Sequence, residues 1–235
     1  MSTLITFNKE KKTGVIYFPK NKIVRKFALK KKNYKLIKNE IKGISWYQSK
    51  QRNIYKKPKI IIESKKNNLD IKIINGKQIK FWTYLEENFE LAKLVIYHYK
   101  NIWPNKKIVP CHGDLTFSNI IFKKDNQPQI IDWENFLINK MNWGFDLSYF
   151  LISTVSLPSI TYKEKKIKEK ELFLLSELWI ETFKNKKYKY LNKPVNFLKS
   201  SFGKTFILRN YSNYYPNLIS SYKTQQINEA LKINI

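Results

Sequence analysis

The segment from Cys111 to Glu134 constrains the fold of this chain more than any other part of it. It contains two short apolar runs, and three side chains that bear oxygen lie between or directly after them: Asp114, Asn119 and Asp132. Phosphoryl transfer from ATP uses such a set, because one carboxylate accepts the proton of the attacking hydroxyl while an amide and a second carboxylate hold magnesium. Asp114 precedes Asn119 by five residues, the spacing between base and asparagine in a kinase catalytic loop. The segment therefore predicts a hairpin that carries a phosphoryl-transfer site.

The same residues resemble a known family. The run His-Gly-Asp-Leu at 112–115, with Asn119, and the run Ile-Asp-Trp-Glu at 131–134 are similar to the aminoglycoside phosphotransferase and choline kinase family. The motifs lie within residues 108–150, and weaker correspondences reach back to Lys26. Members of that family are small-molecule kinases with a protein-kinase-like fold. The resemblance implies ATP and Mg²⁺ as cofactors. It also implies Asp114 as the catalytic base, with Asn119 and Asp132 as metal ligands.

Three further residues are predicted to support this site. His112 precedes the base, and its place in the motif indicates a residue that braces the catalytic loop through hydrogen bonds. Glu134 follows Asp132 by two positions and would share its face of a strand; it either supports the site or is simply solvated. Asp146 stands in a Gly-Phe-Asp-Leu run that resembles the family segment whose Asp caps a helix and braces the catalytic loop.

The order of elements along the chain predicts a bilobal α+β fold of the protein-kinase type. Apolar runs separated by turn residues predict an N-terminal antiparallel sheet with one helix, and helical patterns dominate the remainder apart from the catalytic hairpin. The predicted strands are 15–18, 23–29, 60–62, 71–74 and 79–85; the predicted helices are 34–48, 89–103, 146–154, 165–184, 195–208 and 218–231. We therefore expect an ATP-binding lobe over residues 1–82 and a catalytic and substrate-binding lobe over residues 83–235.

The helix within the sheet half carries a carboxylate beside its apolar stripe. Glu40 lies on the flank of the stripe, which consists of Ile37, Ile41 and Ile44. A carboxylate in that position needs a cationic partner, because burying an unpaired charge is costly. The alternative is that Glu40 is a solvated partner of a neighbouring lysine on the same helix.

A lysine on the preceding strand would supply that cation, and a Lys–Glu pair of this kind fixes the ATP phosphates in kinases. Strand alternation places Lys26 and Arg25 on opposite faces. We choose Lys26 as the phosphate-binding residue, because the small Val24 two positions earlier leaves room for adenine. Arg25 remains the alternative. Only one glycine, Gly14, stands where a protein kinase would have a glycine-rich loop over the phosphates.

Composition limits the other classes of function. The chain has 45 basic and 18 acidic residues and a net charge of +27, but three arginines at most are available for base-edge contacts. A solvated lysine surface is the simplest interpretation, so we expect at most a weak attraction to anionic surfaces and no specific nucleic acid partner. No apolar run is long enough to span a membrane, and the first ten residues lack the basic region and apolar core that a signal peptide would show. The single cysteine, Cys111, excludes an internal disulfide. These features predict a cytoplasmic protein.

The sequence thus predicts an ATP-dependent phosphotransferase with a small-molecule hydroxyl acceptor. The acceptor is open among choline, ethanolamine, another amino alcohol, a sugar and an aminoglycoside, since no motif after residue 150 identifies it. Two other classes remain as alternatives: a catalytically silent kinase fold that serves as a binding module, and a basic nucleic-acid-binding protein with an incidental motif.

Overall fold

The computed structural model describes residues 4–8, 13–51, 60–183 and 221–232. Its first half contains a five-stranded antiparallel sheet in the order β1-β2-β3-β5-β4. The strands are β1 (Leu4–Asn8), β2 (Thr13–Phe18), β3 (Ile23–Ala28), β4 (Ile61–Ser64) and β5 (Asn68–Lys72). Helix α1 (Tyr34–Gln51) connects β3 to β4, as predicted, and packs against the sheet.

The segment after the sheet corrects one prediction. Residues 79–85 do not form a strand; only β6 (Lys77–Gln78) pairs, and it pairs with the catalytic hairpin rather than with the sheet. Ile79 and Leu85 are buried, which explains the apolar pattern, but burial is not specific to strands. The backbone of this segment forms turns instead of pairing with a neighbouring strand. The N–H of Thr83, for example, donates to the carbonyl oxygen of Lys80 at 3.1 Å.

The end of this connecting segment is attached to the second half of the molecule. The Glu171 carboxylate accepts hydrogen bonds from the backbone N–H of Leu85 at 2.7 Å and of Glu86 at 3.1 Å. The Tyr84 hydroxyl donates to Glu164 Oε1 at 2.7 Å, and Lys170 forms an ion pair with Glu86. Residues 84–86 are therefore held by three side chains of the second half, those of Glu164, Lys170 and Glu171.

The second half is mostly helical. Its helices are α2 (Phe89–Ile102), α3 (Phe145–Thr161), α4 (Glu169–Phe183) and α5 (Ser221–Lys232); its strands are β7 (Ile108–Cys111), β8 (Ile120–Phe122), β9 (Pro128–Ile130) and β10 (Leu137–Asn142). Strands β8 and β9 form the antiparallel catalytic hairpin, and β7 pairs with β10. Helix α3 is eight residues longer than predicted and is buried on all sides over most of its length. The helix predicted over 195–208 lies outside the described residues.

A cluster of aromatic side chains joins the two halves. Trp133, in the 3₁₀ turn Trp133–Asn135, is fully buried and packs against Tyr47 and Trp46 of α1, with ring centroids 5.0 and 5.9 Å away. Gly43 permits this approach, because a Cβ on it would stand 2.5 Å from the Cβ of Trp133. The α+β organisation predicted from the sequence, an antiparallel sheet with one helix followed by a mostly helical half with a hairpin, is confirmed. Among the described helices, none combines the length and apolar composition needed to cross a lipid bilayer.

Candidate active site

The loop that carries Asp114 follows directly from the end of β7. His112 is fully buried, and Gly113 adopts a φ of 86°, which turns the chain back toward the hairpin. The ring of His112 bridges two backbone groups: its Nδ1 accepts from Asp114 N at 3.2 Å, and its Nε2 lies 2.8 Å from the carbonyl oxygen of Ile131. The two contacts fit one neutral tautomer with the proton on Nε2. His112 therefore connects the Asp114 loop to the residue before Asp132.

Asp146 fixes the same loop from helix α3. Its carboxylate accepts hydrogen bonds from the backbone N–H of His112 at 2.9 Å and of Gly113 at 3.0 Å, and from the Cys111 thiol at 3.1 Å. Burial raises the pKa of Asp146, although the hydrogen bonds from these three donors oppose the shift. The sequence also predicted that Asp146 caps its helix, and this is wrong: the N-cap is Gly144, with a φ of 85°, and Asp146 lies in the first turn. From the first turn its carboxylate binds the backbone of the catalytic loop.

The carboxylate of Asp114 is contacted by Tyr149 and Asn119. The Tyr149 hydroxyl donates to Oδ1 at 3.0 Å, and the Asn119 amide nitrogen lies 3.4 Å from Oδ2. The same amide nitrogen donates to the backbone oxygen of Asp114 at 2.7 Å. The side-chain nitrogen of Asn119 therefore binds Asp114. The side-chain oxygen of Asn119 is the atom that a hard cation would prefer as a ligand.

Asp132 lies beside Asn119 at the open end of the hairpin. Ile131 N donates to the backbone oxygen of Asn119 at 2.9 Å, continuing the pairing of β8 with β9. Asp132 itself has a φ of 63°, a left-handed conformation that is uncommon for a residue with a side chain and is often found at functional sites. This backbone places its carboxylate toward Lys26.

Lys26 joins the sheet half to the hairpin. Its ammonium lies 2.8 Å from Glu40 Oε1 and 2.6 Å from Asp132 Oδ1. Burial alone would lower the pKa of Lys26, but the charges of Asp132 and Glu40 outweigh it and raise that pKa, so the side chain is cationic. Burial raises the pKa of Glu40 to about 7, against the opposing charge of Lys26. The other carboxylate oxygen, Glu40 Oε2, is buried and has no hydrogen-bond partner among the described residues.

Arg25 faces away from this cluster. Its guanidinium binds Asp70 through Nε at 2.6 Å and through a terminal nitrogen at 2.7 Å, and it lies 5.5 Å from the ring centre of Phe18. Asp70 is opposite Arg25 in the register of β3 with β5. The alternation of the strand therefore separates the two candidate cations, and only Lys26 reaches Glu40 and Asp132.

Two cavities meet at Lys26, Glu40 and Asp132. One, of about 170 Å³, is bounded by β2 and α1; the additional lining residues are Thr13, Gly14, Val15, Leu36, Ile37 and Glu134. The other, of about 160 Å³, is mostly apolar and lies between the sheet and the hairpin; Val24, Ile71, Ile121 and Ile131 are among its lining residues. A polar junction that contains one cation and two carboxylates thus connects a cavity under β2 to an apolar slot.

Glu134 lines the first cavity, but it lies in a 3₁₀ turn and not on the predicted strand. Strand β9 ends at Ile130, and Glu134 belongs to the 3₁₀ turn, so Glu134 and Asp132 do not share a strand face. The left-handed backbone of Asp132 interrupts the strand at that point. The turn is attached to α1, since Asn39 donates a hydrogen bond to the Glu134 carbonyl oxygen at 3.1 Å.

Sequence reasoning missed Tyr149 as a member of the site. It stands three residues after Asp146, and residues three apart share a face of a helix, so Asp146 and Tyr149 both point toward the Asp114 loop. That spacing was visible in the sequence. What it did not reveal is that α3 is the helix whose face meets the loop.

Comparisons with known proteins agree with the motifs. Residues 68–157 match the sequence model of the phosphotransferase enzyme family, a range that contains Asp114, Asn119 and Asp132 but not Lys26 or Glu40. No curated protein gives a significant match to the sequence. Among solved structures, an ethanolamine kinase from Plasmodium vivax is similar, with 12% identity and a TM-score of 0.45; the match covers 99% of this chain and 84% of that chain. The resemblance to the aminoglycoside phosphotransferase and choline kinase family is confirmed.

Proposed function

We propose that this chain, whose residues 68–157 match the phosphotransferase enzyme family, transfers the γ-phosphoryl group of ATP to a hydroxyl of a small molecule. The observation that carries the proposal is the position of Lys26 between Glu40 and Asp132. A half-buried lysine fixed by a carboxylate from α1, next to a carboxylate at the end of the hairpin, is the arrangement that positions nucleotide phosphates in kinases.

The residues fit a magnesium nucleotide. Asp132 and Asn119 offer carboxylate and amide oxygens, which are the ligands of a hard cation. Among the described residues, no group of three or more His, Cys, Asp or Glu side chains could hold a metal ion by itself. Magnesium on a nucleotide needs no such group, because phosphate oxygens and water complete its coordination. When bound there, the ion would neutralise charge on the phosphates.

The two cavities suit the two ends of a nucleotide. The apolar slot lined by Val24 and Ile131 offers a dry surface for a planar base, while the cavity lined by Gly14 and Lys26 offers a cation to the phosphates. Gly14 has no room for a side chain, since a Cβ on it would stand 2.4 Å from the ring of Phe27. The glycine is therefore explained by the packing of Phe27, while the backbone of Gly14 lines the cavity beside Thr13 and Val15.

Asp114 is proposed to orient the acceptor hydroxyl and to accept its proton during transfer. Lys26 holds the phosphates, Glu40 holds Lys26, and His112 and Asp146 keep the loop of Asp114 in place through the hydrogen bonds described above. Glu134 is proposed to face the bound ligand from the rim of the first cavity. The acceptor stays open among choline, ethanolamine, another amino alcohol, a sugar and an aminoglycoside. The cytoplasmic location and the boundary between lobes at residue 82 also stay predictions.

Two measurements test the proposal. First, MgATP should raise the melting temperature of the protein, as any ligand specific to the native state does. Second, a panel of the acceptors named above should contain at least one that is phosphorylated, and Asp114→Asn should lower that turnover by roughly 10²- to 10⁴-fold while keeping the MgATP shift.

The alternatives give different results. A silent binding module would show the MgATP shift without turnover on any acceptor. A nucleic-acid-binding protein would show neither, but would bind DNA or RNA with an affinity that falls steeply as salt rises. Near wild-type turnover in Asp114→Asn would remove Asp114 from the mechanism.

A further inference from the structure

The strongest unexplained contact in the site is the hydrogen bond from Tyr149 to Asp114. The Tyr149 side chain is buried, and its hydroxyl lies 3.0 Å from Asp114 Oδ1. Neither the motifs nor the roles given above assign Tyr149 a function. A buried tyrosine hydroxyl needs a polar partner, but many backbone oxygens could serve. Here the partner is the carboxylate proposed to act on the acceptor.

Helix α3 contacts both the backbone of the Asp114 loop and the side chain of Asp114. Asp146 binds the backbone N–H groups of His112 and Gly113, which fixes where the loop runs. Tyr149, one turn later on the same face, binds the side chain of Asp114 itself. The first contact fixes the backbone that carries Asp114, and the second restricts rotation of its carboxylate about χ1 and χ2.

We propose that Tyr149 is a positioning residue that sets the rotamer of Asp114. Its hydroxyl occupies one lone pair of Oδ1 and thereby holds the carboxylate plane. A base must lie within hydrogen-bond reach of the proton it removes, so a fixed rotamer raises the fraction of complexes that can react. This inference rests on the function proposed above.

The structure offers a specific variant and a matched control. Tyr149→Phe removes one oxygen and keeps the ring, hence the packing. Tyr84→Phe removes the same oxygen from a tyrosine whose hydroxyl binds Glu164, away from Asp114. The double variant Asp114→Asn/Tyr149→Phe asks whether the hydroxyl acts through Asp114, because residues that act through one another have non-additive effects.

We expect Tyr149→Phe to lower kcat on the acceptor identified in the panel by about 10- to 100-fold, the factor associated with a hydrogen bond to a charged group. The melting-temperature shift given by MgATP should be unchanged, and Tyr84→Phe should retain wild-type kcat. In the Asp114→Asn background, adding Tyr149→Phe should change kcat by less than about threefold.

Several results would overturn the role. One is a kcat of Tyr149→Phe within twofold of wild type; another is the same loss in both backgrounds, which would mean that the hydroxyl does not act through Asp114. A Tyr149→Phe protein that fails to fold would make the hydroxyl a structural group. If the wild type phosphorylates no acceptor, the proposed function fails and the role fails with it. If the wild type phosphorylates an acceptor and Tyr149→Phe has the same kcat, only the role of Tyr149 is overturned and the proposed function stands.

Discussion

Trp133 occupies the notch that Gly43 leaves in helix α1. A Cβ placed on Gly43 would stand 2.5 Å from the Cβ and 2.9 Å from two ring carbons of Trp133, all atoms of a fully buried side chain. Glu40 precedes Gly43 by three residues on the same helix, and Asp132 directly precedes Trp133. The contact therefore sets the distance between the two elements that carry the carboxylates on either side of Lys26.

Gly43→Ala should destabilise the protein by about 1–3 kcal/mol, the usual cost of inserting a methyl group into a packed core. In an exposed helical position the same change would stabilise, by up to about 1 kcal/mol. We also expect weaker MgATP binding, because α1 must move away from the turn. Urea unfolding and the MgATP thermal shift measure the two effects. Ser45→Ala, at an exposed position of α1, is the control and should change neither. A more stable Gly43→Ala protein would contradict the tight contact.

Lys26 and Glu40 should behave as a coupled pair. Lys26→Met and Glu40→Gln should each weaken ATP use, and the double variant should lose less than the sum of the two, with an interaction energy on the order of 0.5–3 kcal/mol. Steady-state kinetics with varied ATP, measured on the wild type, the two single variants and the double variant, provide the four values of this double-mutant cycle. Arg25→Met is the control from the opposite face of β3, and its ATP dependence should match that of the wild type. Strict additivity would show that the pair does not act on the nucleotide.

Asp132→Ala should raise the magnesium concentration needed for half-maximal activity, since it removes a charged oxygen ligand of a hard cation. Asn119→Ala should act in the same direction but more mildly, because an amide contributes no charge. Activity measured against magnesium at saturating ATP tests both. An unchanged magnesium dependence in both variants would mean that the metal binds elsewhere.

Cys111 should be inert in the native protein. Its side chain is buried, and burial together with the Asp146 carboxylate raises the pKa of the thiol well above its ordinary value, so little reactive thiolate forms. Ellman's reagent should label about one thiol per chain in guanidinium chloride and almost none in buffer at pH 8. Since Cys111 is the only cysteine, the assay needs no other variant. Rapid labelling without denaturant would show that the loop opens readily.

The ion pair on the outer face of the sheet predicts a pH dependence of stability. The hydrogen bond from Arg25, aided by its charge, lowers the pKa of Asp70 despite the opposing effect of burial. The unfolded chain then binds a proton more readily than the native state does. The contribution of Asp70 is present above the ordinary Asp pKa of about 3.9 and is lost as pH falls through the lowered native value. Asp70→Asn should be less stable than wild type at pH 7, and the difference should shrink toward pH 3. Chemical denaturation at both pH values checks this; a constant difference would contradict it.

The sequence was most informative where the determinants are local. Asp114, Asn119 and Asp132 lie in one hairpin, so a spacing pattern could identify them together. The contact of Lys26 with Glu40 joins distant segments, yet it followed from a general requirement: a carboxylate beside a buried face needs a cation. Their roles in catalysis stay predictions.

The errors have physical causes. Residues 79–85 have the apolar composition of a strand because they are buried, while their backbone is bound in turns and to Glu171. Glu134 was placed on a strand face because nothing in the sequence indicates that Asp132 adopts a left-handed backbone. The roles of Gly43 and Tyr149 depend on which helix faces meet the hairpin, which tertiary packing determines.

The attachment of residues 84–86 to the helical half has a consequence for motion. Glu171, Glu164 and Lys170 hold this end of the connecting segment, so it must move as part of the helical half. Strand β6 pairs with the catalytic hairpin, so the segment is also attached to the second half at Lys77 and Gln78. Any change in the angle between the sheet and the helices has to be absorbed earlier, between Ile73, whose N–H donates to Lys22 O in the sheet half, and Lys77. The stretch 79–85 that the sequence had suggested was a strand would therefore move with the helical half, and the cleft that contains Lys26 would open and close about the short turn before it.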